Sequence, residues 1–309
     1  MAVERAAGRP ELPLPKSSPA NKALRAFRTA SVFALAKPLR ALGGLLVLLL
    51  VLTALFAPAL APYDPVQIQA ADRLQPPSLR HPLGTDDFGR DILSRVIYGA
   101  RISMLVGLGA VAISVPLATI IGVISGYYGG RLDAILQRGV DTLMAFPWLV
   151  MLLTIMAMLG QGLENVILAL GVGGTAGNAR LVRSAVLAIK ESQYVEAARA
   201  LGCRDSQIIL RCILPNIAAP LMVVATLGLG VAILAESSLS FLGFGVPPPT
   251  PSWGGMLSGS GRTYMLKAPW MAVSPGLAVS LAVFGFNMLG DALRDVLDPK
   301  LRGGMQGRA

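Results

Sequence analysis

Apolar stretches without a charged residue recur along this chain, at residues 41–63, 102–130, 142–163, 212–235 and 268–290. A helix needs about 20 apolar residues to cross a hydrocarbon core of ~30 Å, and each stretch reaches that length. A sixth, at 165–179, is shorter and carries Gly171, Gly173, Gly174 and Gly177; it spans when its ends extend to Leu163 and Leu181. The pattern predicts an all-α membrane protein with six spans, at about 41–61, 102–126, 142–162, 163–182, 214–243 and 268–290. Residues 86–101 are expected to form a short surface helix feeding the second span. The connection 246–270 carries Pro247, Pro248, Pro249 and Pro251, then Trp253 and Trp270. Prolines disfavour regular structure there, and tryptophans favour the headgroup level. Gly107, Gly109, Ser114 and Gly122 in the second span would let helices approach closely.

Composition sharpens this picture. The chain is 54% hydrophobic and 14% charged, whereas soluble domains carry charge on about a quarter of their residues, so a soluble enzyme or binding module is excluded. The net charge of +10 could suggest nucleic acid, but the basic residues are sorted by side. With six spans, most of the 27 lysines and arginines fall on one face: the N-terminal lead, residues 131–138, residues 180–211 and the C-terminal tail. Excess Lys and Arg marks the cytoplasmic side, which puts both termini and residues 194–216 in the cytoplasm and requires an even number of spans. Ala59-Leu60-Ala61 resembles a signal cleavage site, yet the basic lead is long and Pro62 follows, so an uncleaved first span is expected. Residues 1–36, rich in Pro, Ala and Arg, are expected to be disordered or to lie on the anionic inner leaflet. Residues 37–302 form the membrane domain and 303–309 a tail. Cys203 and Cys212 fall in the cytoplasmic connection, where thiols stay reduced. Together with the single histidine, distant His81, they make no metal ligand set.

Residues 194–216 hold the most structured polar pattern. Tyr194 to Leu201 is a strong helix former, and Gly202 stands where a helix ends in the left-handed conformation. Asp205 or Ser206 is placed to cap a second helix, which continues through Ile208, Ile209, Ile213 and Leu214 towards the fifth span. Pro215 should break or bend it near the membrane surface. Ala197, Ala198 and Ala200 keep the first helix thin, suiting a groove in a partner.

Glu196-Ala197-Ala198, then Gly202, then Leu214-Pro215 resembles the EAA loop of binding-protein-dependent ABC importer permeases, with Cys212 where that family usually has an aliphatic residue. The segments 81–95, 98–103, 126–133, 141–147, 236–243, 248–254 and 287–300 are similar to the dipeptide/oligopeptide/nickel group, in its second, C-type subunit. The likeness covers about residues 37–302. It implies a type I ABC importer permease-like fold with a cytoplasmic coupling helix, in the bacterial inner membrane. It also implies a second homologous permease, two cytoplasmic ATPases holding ATP and Mg, and an extracytoplasmic solute-binding protein. The ATPase-coupling residues it implies are Glu196, Ala197, Ala198, Arg199, Gly202, Leu214 and Pro215. The implied cargo is peptide, with nickel or another small solute as the alternative. No lysine here follows a glycine, so the chain has no Gly-Lys phosphate loop of its own. No cofactor and no catalytic constellation is expected on this chain. A secondary transporter would call for ionisable residues or broken helices in the membrane, and the pattern offers a single embedded carboxylate.

That carboxylate is Glu236. An ionised group at membrane depth costs about 2.5–3.5 kcal/mol on insertion scales, so it should line the pathway or pair with an arginine such as Arg101. Asp133, Arg138 and Asp141, between the second and third spans, are candidates for bracing the coupling region. His81 and Asp86 are assigned to folding of the outer connection rather than to metal binding.

Overall fold

The computed structural model describes residues 38–297; the tails expected at 1–36 and 303–309 lie outside the described residues. Among the described residues every named element is helical. Helix α1 (Pro38–Leu55) turns at Phe56 into a single further turn, Ala57–Leu60. After the connection 61–91 come α2 (Ile92–Tyr128), α3 (Gly130–Met144), α4 (Trp148–Leu159), α5 (Leu163–Lys190) and α6 (Gln193–Ala200). Helix α7 (Asp205–Phe241), the short α8 (Trp253–Leu257) and α9 (Trp270–Leu297) follow, with single helical turns at Ala70–Asp72 and Ser260–Thr263 in the connections. Helices α2, α7 and α9 are long and apolar enough to cross a membrane, and α3 with α4 would make a fourth span as a bent pair. Helix α1 is shorter, with 18 residues, and α5 is rich in glycine and carries Arg180, Arg183 and Lys190 towards its end.

Two expected elements differ. No separate surface helix precedes the second span. Residues 86–91 form a loop in which Asp86 accepts from the amides of Phe88 and Arg90, both at 2.9 Å, and from Arg90 Nε at 2.6 Å. Helix α2 then starts at Ile92 and runs unbroken for 37 residues. Asp91 caps it, accepting from Ser94 N, and also meets buried His81 Nδ1 at 2.9 Å. The third span, expected at 142–162, is not one continuous helix. Pro147 has no amide to continue the ladder, so α3 ends at Met144 and α4 starts at Trp148, bent by 89°. The proline-rich connection 246–270 is also more ordered than its composition suggests. It carries α8, and Trp253 is packed inside the protein: it is 2% exposed, with Nε1 donating to Val96 O at 2.9 Å.

Glycine sets the packing. Helices α2 and α5 run parallel, and their tightest contacts follow one another along both helices: Gly109 meets Ile167, Gly171 meets Ile113, Gly122 meets Val182 and Gly126 meets Val186. A Cβ on Gly122 would come 2.6 Å from the Val182 Cβ, closer than any side chain tolerates. Without a hydrophobic force between helices in lipid, such close approach is what holds them together. The same device joins α1 to α9, where a Cβ on Gly43 would lie 2.3 Å from that of Met288.

Candidate coupling site

Helix α6 is eight residues long and ends as a Schellman motif. The Cys203 amide donates to Ala198 O at 3.1 Å and the Gly202 amide to Arg199 O at 2.9 Å, with Gly202 at φ +78°. This is the pair of bonds that a left-handed C′ residue permits. Chain direction then reverses into α7. That helix is not capped by Asp205 or Ser206 as expected: the Gln207 side chain accepts from the Arg204 amide at 3.0 Å. Asp205 instead accepts from Tyr127 Oη at 2.7 Å.

The turn is held from beneath by apolar side chains. Val195 on α6 and Ile208, Ile213 and Ile217 on α7 are buried against Val123 and Tyr127 of α2 and Val182 and Val186 of α5. Arg199 lies over the Tyr127 ring, 5.5 Å from its centroid, with Lys190 at 5.9 Å. Cys212 packs on this cluster as a small apolar residue would. The other face is open: Glu196, Ala197, Ala200 and Gly202 are exposed, and Leu201 is 84% exposed at the tip. One face of α6 is thus anchored to the bundle, and the other is a thin, alanine-rich surface with Leu201 at its tip and Glu196 and Arg199 exposed beside it.

Pro215 neither breaks nor visibly ends α7. Residues Ile209–Ile213 form a π turn just before it, closed by the Leu214 amide on Ile209 O. A π turn widens the helix by one residue, which makes room where the proline ring would press on the preceding turn. The Cys212 carbonyl accepts from Asn216 Nδ2 at 2.6 Å. Leu214 is half-buried and Pro215 exposed.

Helix α3 is fastened to α5 beside this turn. Asp133 takes both Arg183 Nε at 2.7 Å and Nη2 at 2.6 Å, and accepts from the Ser125 hydroxyl, which in turn accepts from Gln137 at 2.8 Å. Asp141 pairs with Arg180 at the surface. Arg138 is exposed, and its carbonyl accepts from Thr142. Arg180, Arg183 and Tyr127 were not singled out by sequence; they sit far along the chain from their partners, and only folding brings them together.

Glu236 is fully buried. Its carboxylate accepts from Ser240 Oγ at 2.7 Å and faces Ser237 Oγ at 3.4 Å, with buried Ser252 alongside. Its partners are hydroxyls, whereas Arg101 is exposed. Beside α7 runs an open groove made of two cavities of about 410 and 450 Å³, which share Leu181, Val224 and Leu227. The first extends to Trp148, Ser114 and Asn178, the second to Asn216 and Arg294.

Residues 118–303 match the family of binding-protein-dependent transport system inner membrane components, and residues 35–77 match the N-terminal membrane domain of oligopeptide transport permease C. The dipeptide transport system permease of Alkalihalophilus pseudofirmus is 44% identical over 84% of this chain and 85% of its own length. A di/tripeptide permease of Pseudomonas aeruginosa is 45% identical over 85% and 88%. The glutathione transport system permease of Pectobacterium atrosepticum is 43% identical over 84% and 86%. In fold, an inward-facing methionine ABC transporter MetNI chain aligns with TM-score 0.52 at 19% identity, over 67% of this chain and 96% of that one. With an all-helical bundle and these relatives, the chain belongs to the inner-membrane permeases of binding-protein-dependent ABC importers, and is a channel subunit rather than an enzyme.

Proposed function

We propose that this chain is one of two homologous permeases of a peptide importer, passing dipeptides and short oligopeptides inward. Two cytoplasmic ATPases, which alone hold ATP and Mg, would receive the exposed face of α6. An extracytoplasmic binding protein would deliver cargo to the outer connections. The observation that carries the reading is the turn at Gly202: a thin, alanine-rich helix, anchored through Val195 and Tyr127 and presenting Leu201 outward. Motion of a partner bound there reaches α2, α5 and α7 through one apolar cluster. Glu196, Ala197, Ala198, Arg199, Gly202, Leu214 and Pro215 are its coupling residues, and Asp133 and Asp141 brace it through α5.

The groove beside α7 is this chain's half of the passage. Its walls are apolar with scattered amides and hydroxyls, and one cation, Arg294, near the inner end. A wall without carboxylate, thiol or imidazole suits cargo of varied side chains and offers nothing to nickel, whose ligands are of those kinds. The relatives' cargoes, dipeptide, di/tripeptide and glutathione, fit the same wall. Both termini face the cytoplasm, with six crossings, α3 and α4 counting as one.

Uptake of labelled di- and tripeptides against nickel, in a deletion strain complemented with the whole system, tests this. ATP-dependent peptide uptake is the expected result. Nickel uptake with no peptide uptake overturns the cargo assignment. A cysteine near either terminus that reacts with an external impermeant thiol reagent overturns the topology.

A further inference from the structure

Trp148 occupies a position that neither the coupling site nor the packing explains. It is the first residue of α4, directly after the 89° bend, and its ring lies on bare backbone of α5: a Cβ on Gly173 would come 3.1 Å from it. The same ring borders two cavities. One is the 410 Å³ half of the groove; the other, of about 310 Å³, lies between the bend and α5 and is lined by Met144, Phe146, Gly173 and Gly177. Trp148 is the partition between them.

Depth matters here. Gly174 lies ~16 Å along α5 from its outer end, at 1.5 Å per residue, so the ring sits near mid-bundle. Helix α4, with 12 residues, is only ~18 Å long and ends at that depth. The non-helical link at 145–147 therefore lies within the membrane region, and every residue from 141 to 150 is exposed on this chain. Lipid cannot solvate non-helical backbone, which is tolerated at such depth only against protein or a water-filled cavity. The break thus faces protein or a water-filled cavity rather than hydrocarbon, and the groove and the notch are the cavities it adjoins.

We propose that Trp148 is the constriction of the passage and sets what the closed permease retains. Laid on the glycine floor of α5, the indole separates the groove from the notch behind it; cargo crosses when the ring leaves that seat. The adjacent bend supplies the freedom, because α4 joins α3 through two residues and a proline rather than through a continuous hydrogen-bond ladder. This rests on the groove being the passage.

The test uses the whole transporter, with its second permease and ATPases, in sealed vesicles loaded with a fluorescent tripeptide. Without ATP and binding protein, Trp148→Ala should leak peptide several-fold faster than the natural protein, and Trp148→Phe, which keeps an aromatic ring, should stay close to it. An assembled Trp148→Ala transporter as tight as the natural one overturns the proposal. Where Trp148→Ala fails to assemble, Trp148→Leu carries the same comparison with the same reading. A separate variant probes the passage itself: Asn178→Cys, with Cys203 and Cys212 replaced by serine, should react with an impermeant thiol reagent and be protected by peptide. No reaction there removes the passage assignment; reaction together with a tight Trp148→Ala removes only the constriction.

Discussion

At Gly202 a side chain would meet no atom within 4 Å, yet φ is +78°. The demand for glycine is therefore purely backbone. A non-glycine residue in the left-handed region costs about 1–2 kcal/mol, and asparagine bears it best. Gly202→Val should keep the bundle folded but loosen the α6 turn, so that ATP hydrolysis continues while uptake falls; Gly202→Asn should be milder. The ratio of ATP hydrolysed to peptide imported reads this, and an unchanged ratio in Gly202→Val counts against a coupling role for the turn. Asp133 takes two hydrogen bonds from the Arg183 guanidinium. Thermal denaturation of Asp133→Asn should show a lower midpoint than the natural protein, and adding Arg183→Gln should lower it little further, because the two residues share one interaction. Fully additive deficits would exclude the ion pair as their source. Gly202 was legible in the sequence because a local conformation needs it. Arg183 was not, because its role depends on a partner 50 residues away in the chain.

Among the elements, α7 carries an unusual joint. The π turn at Ile209–Ile213 stands between the coupling turn and the apolar part of the helix, and Pro215 is the residue whose missing amide favours it. Pro215→Ala restores a donor and lets the segment relax to a regular α-helix, which turns α6 about α7 by up to about 100°, one residue's rotation. The expected outcome is a stable, inserted permease with impaired transport. Amide-exchange protection around 209–213 should rise, and full transport with raised protection would separate the π turn from coupling. Gly122→Val is a contrasting case, since its side chain would collide with Val182; overpacking of this kind costs about 1–3 kcal/mol and should lower thermal stability outright. The long apolar runs made α2, α7 and α9 legible, because hydrophobicity alone defines them. The α3–α4 pair escaped, since Pro147 sits inside an apolar run and composition does not tell a kinked span from a break. Asp133 and Asp141 were candidates for bracing between two spans; their arginine partners on α5 were not legible, because the chain separates them by 50 and 39 residues.

For the molecule as a whole, the surface from 141 to 150 decides which way the bundle faces. Leu143, Met144, Phe146, Trp148, Leu149 and Val150 are all exposed there, a patch apolar enough for lipid but built around a backbone break that lipid cannot accommodate. Three environments make different demands on an arginine placed in it. Against hydrocarbon near mid-depth, Phe146→Arg would cost about 2.5–3.5 kcal/mol on insertion scales, and the chain would be poorly inserted and degraded. Against the second permease, the chain would insert normally but lose that partner, because an unpaired charge buried in an interface is strongly unfavourable. Along a hydrated passage, insertion and assembly would both persist, and uptake would change because a fixed positive charge now stands beside the cargo. The break and the cavity behind it lead to the third outcome as the expected one. Membrane level of Phe146→Arg, recovery of the second permease with it, and peptide uptake together distinguish the three cases. A chain lost from the membrane would turn this face towards lipid and end the case for a passage there.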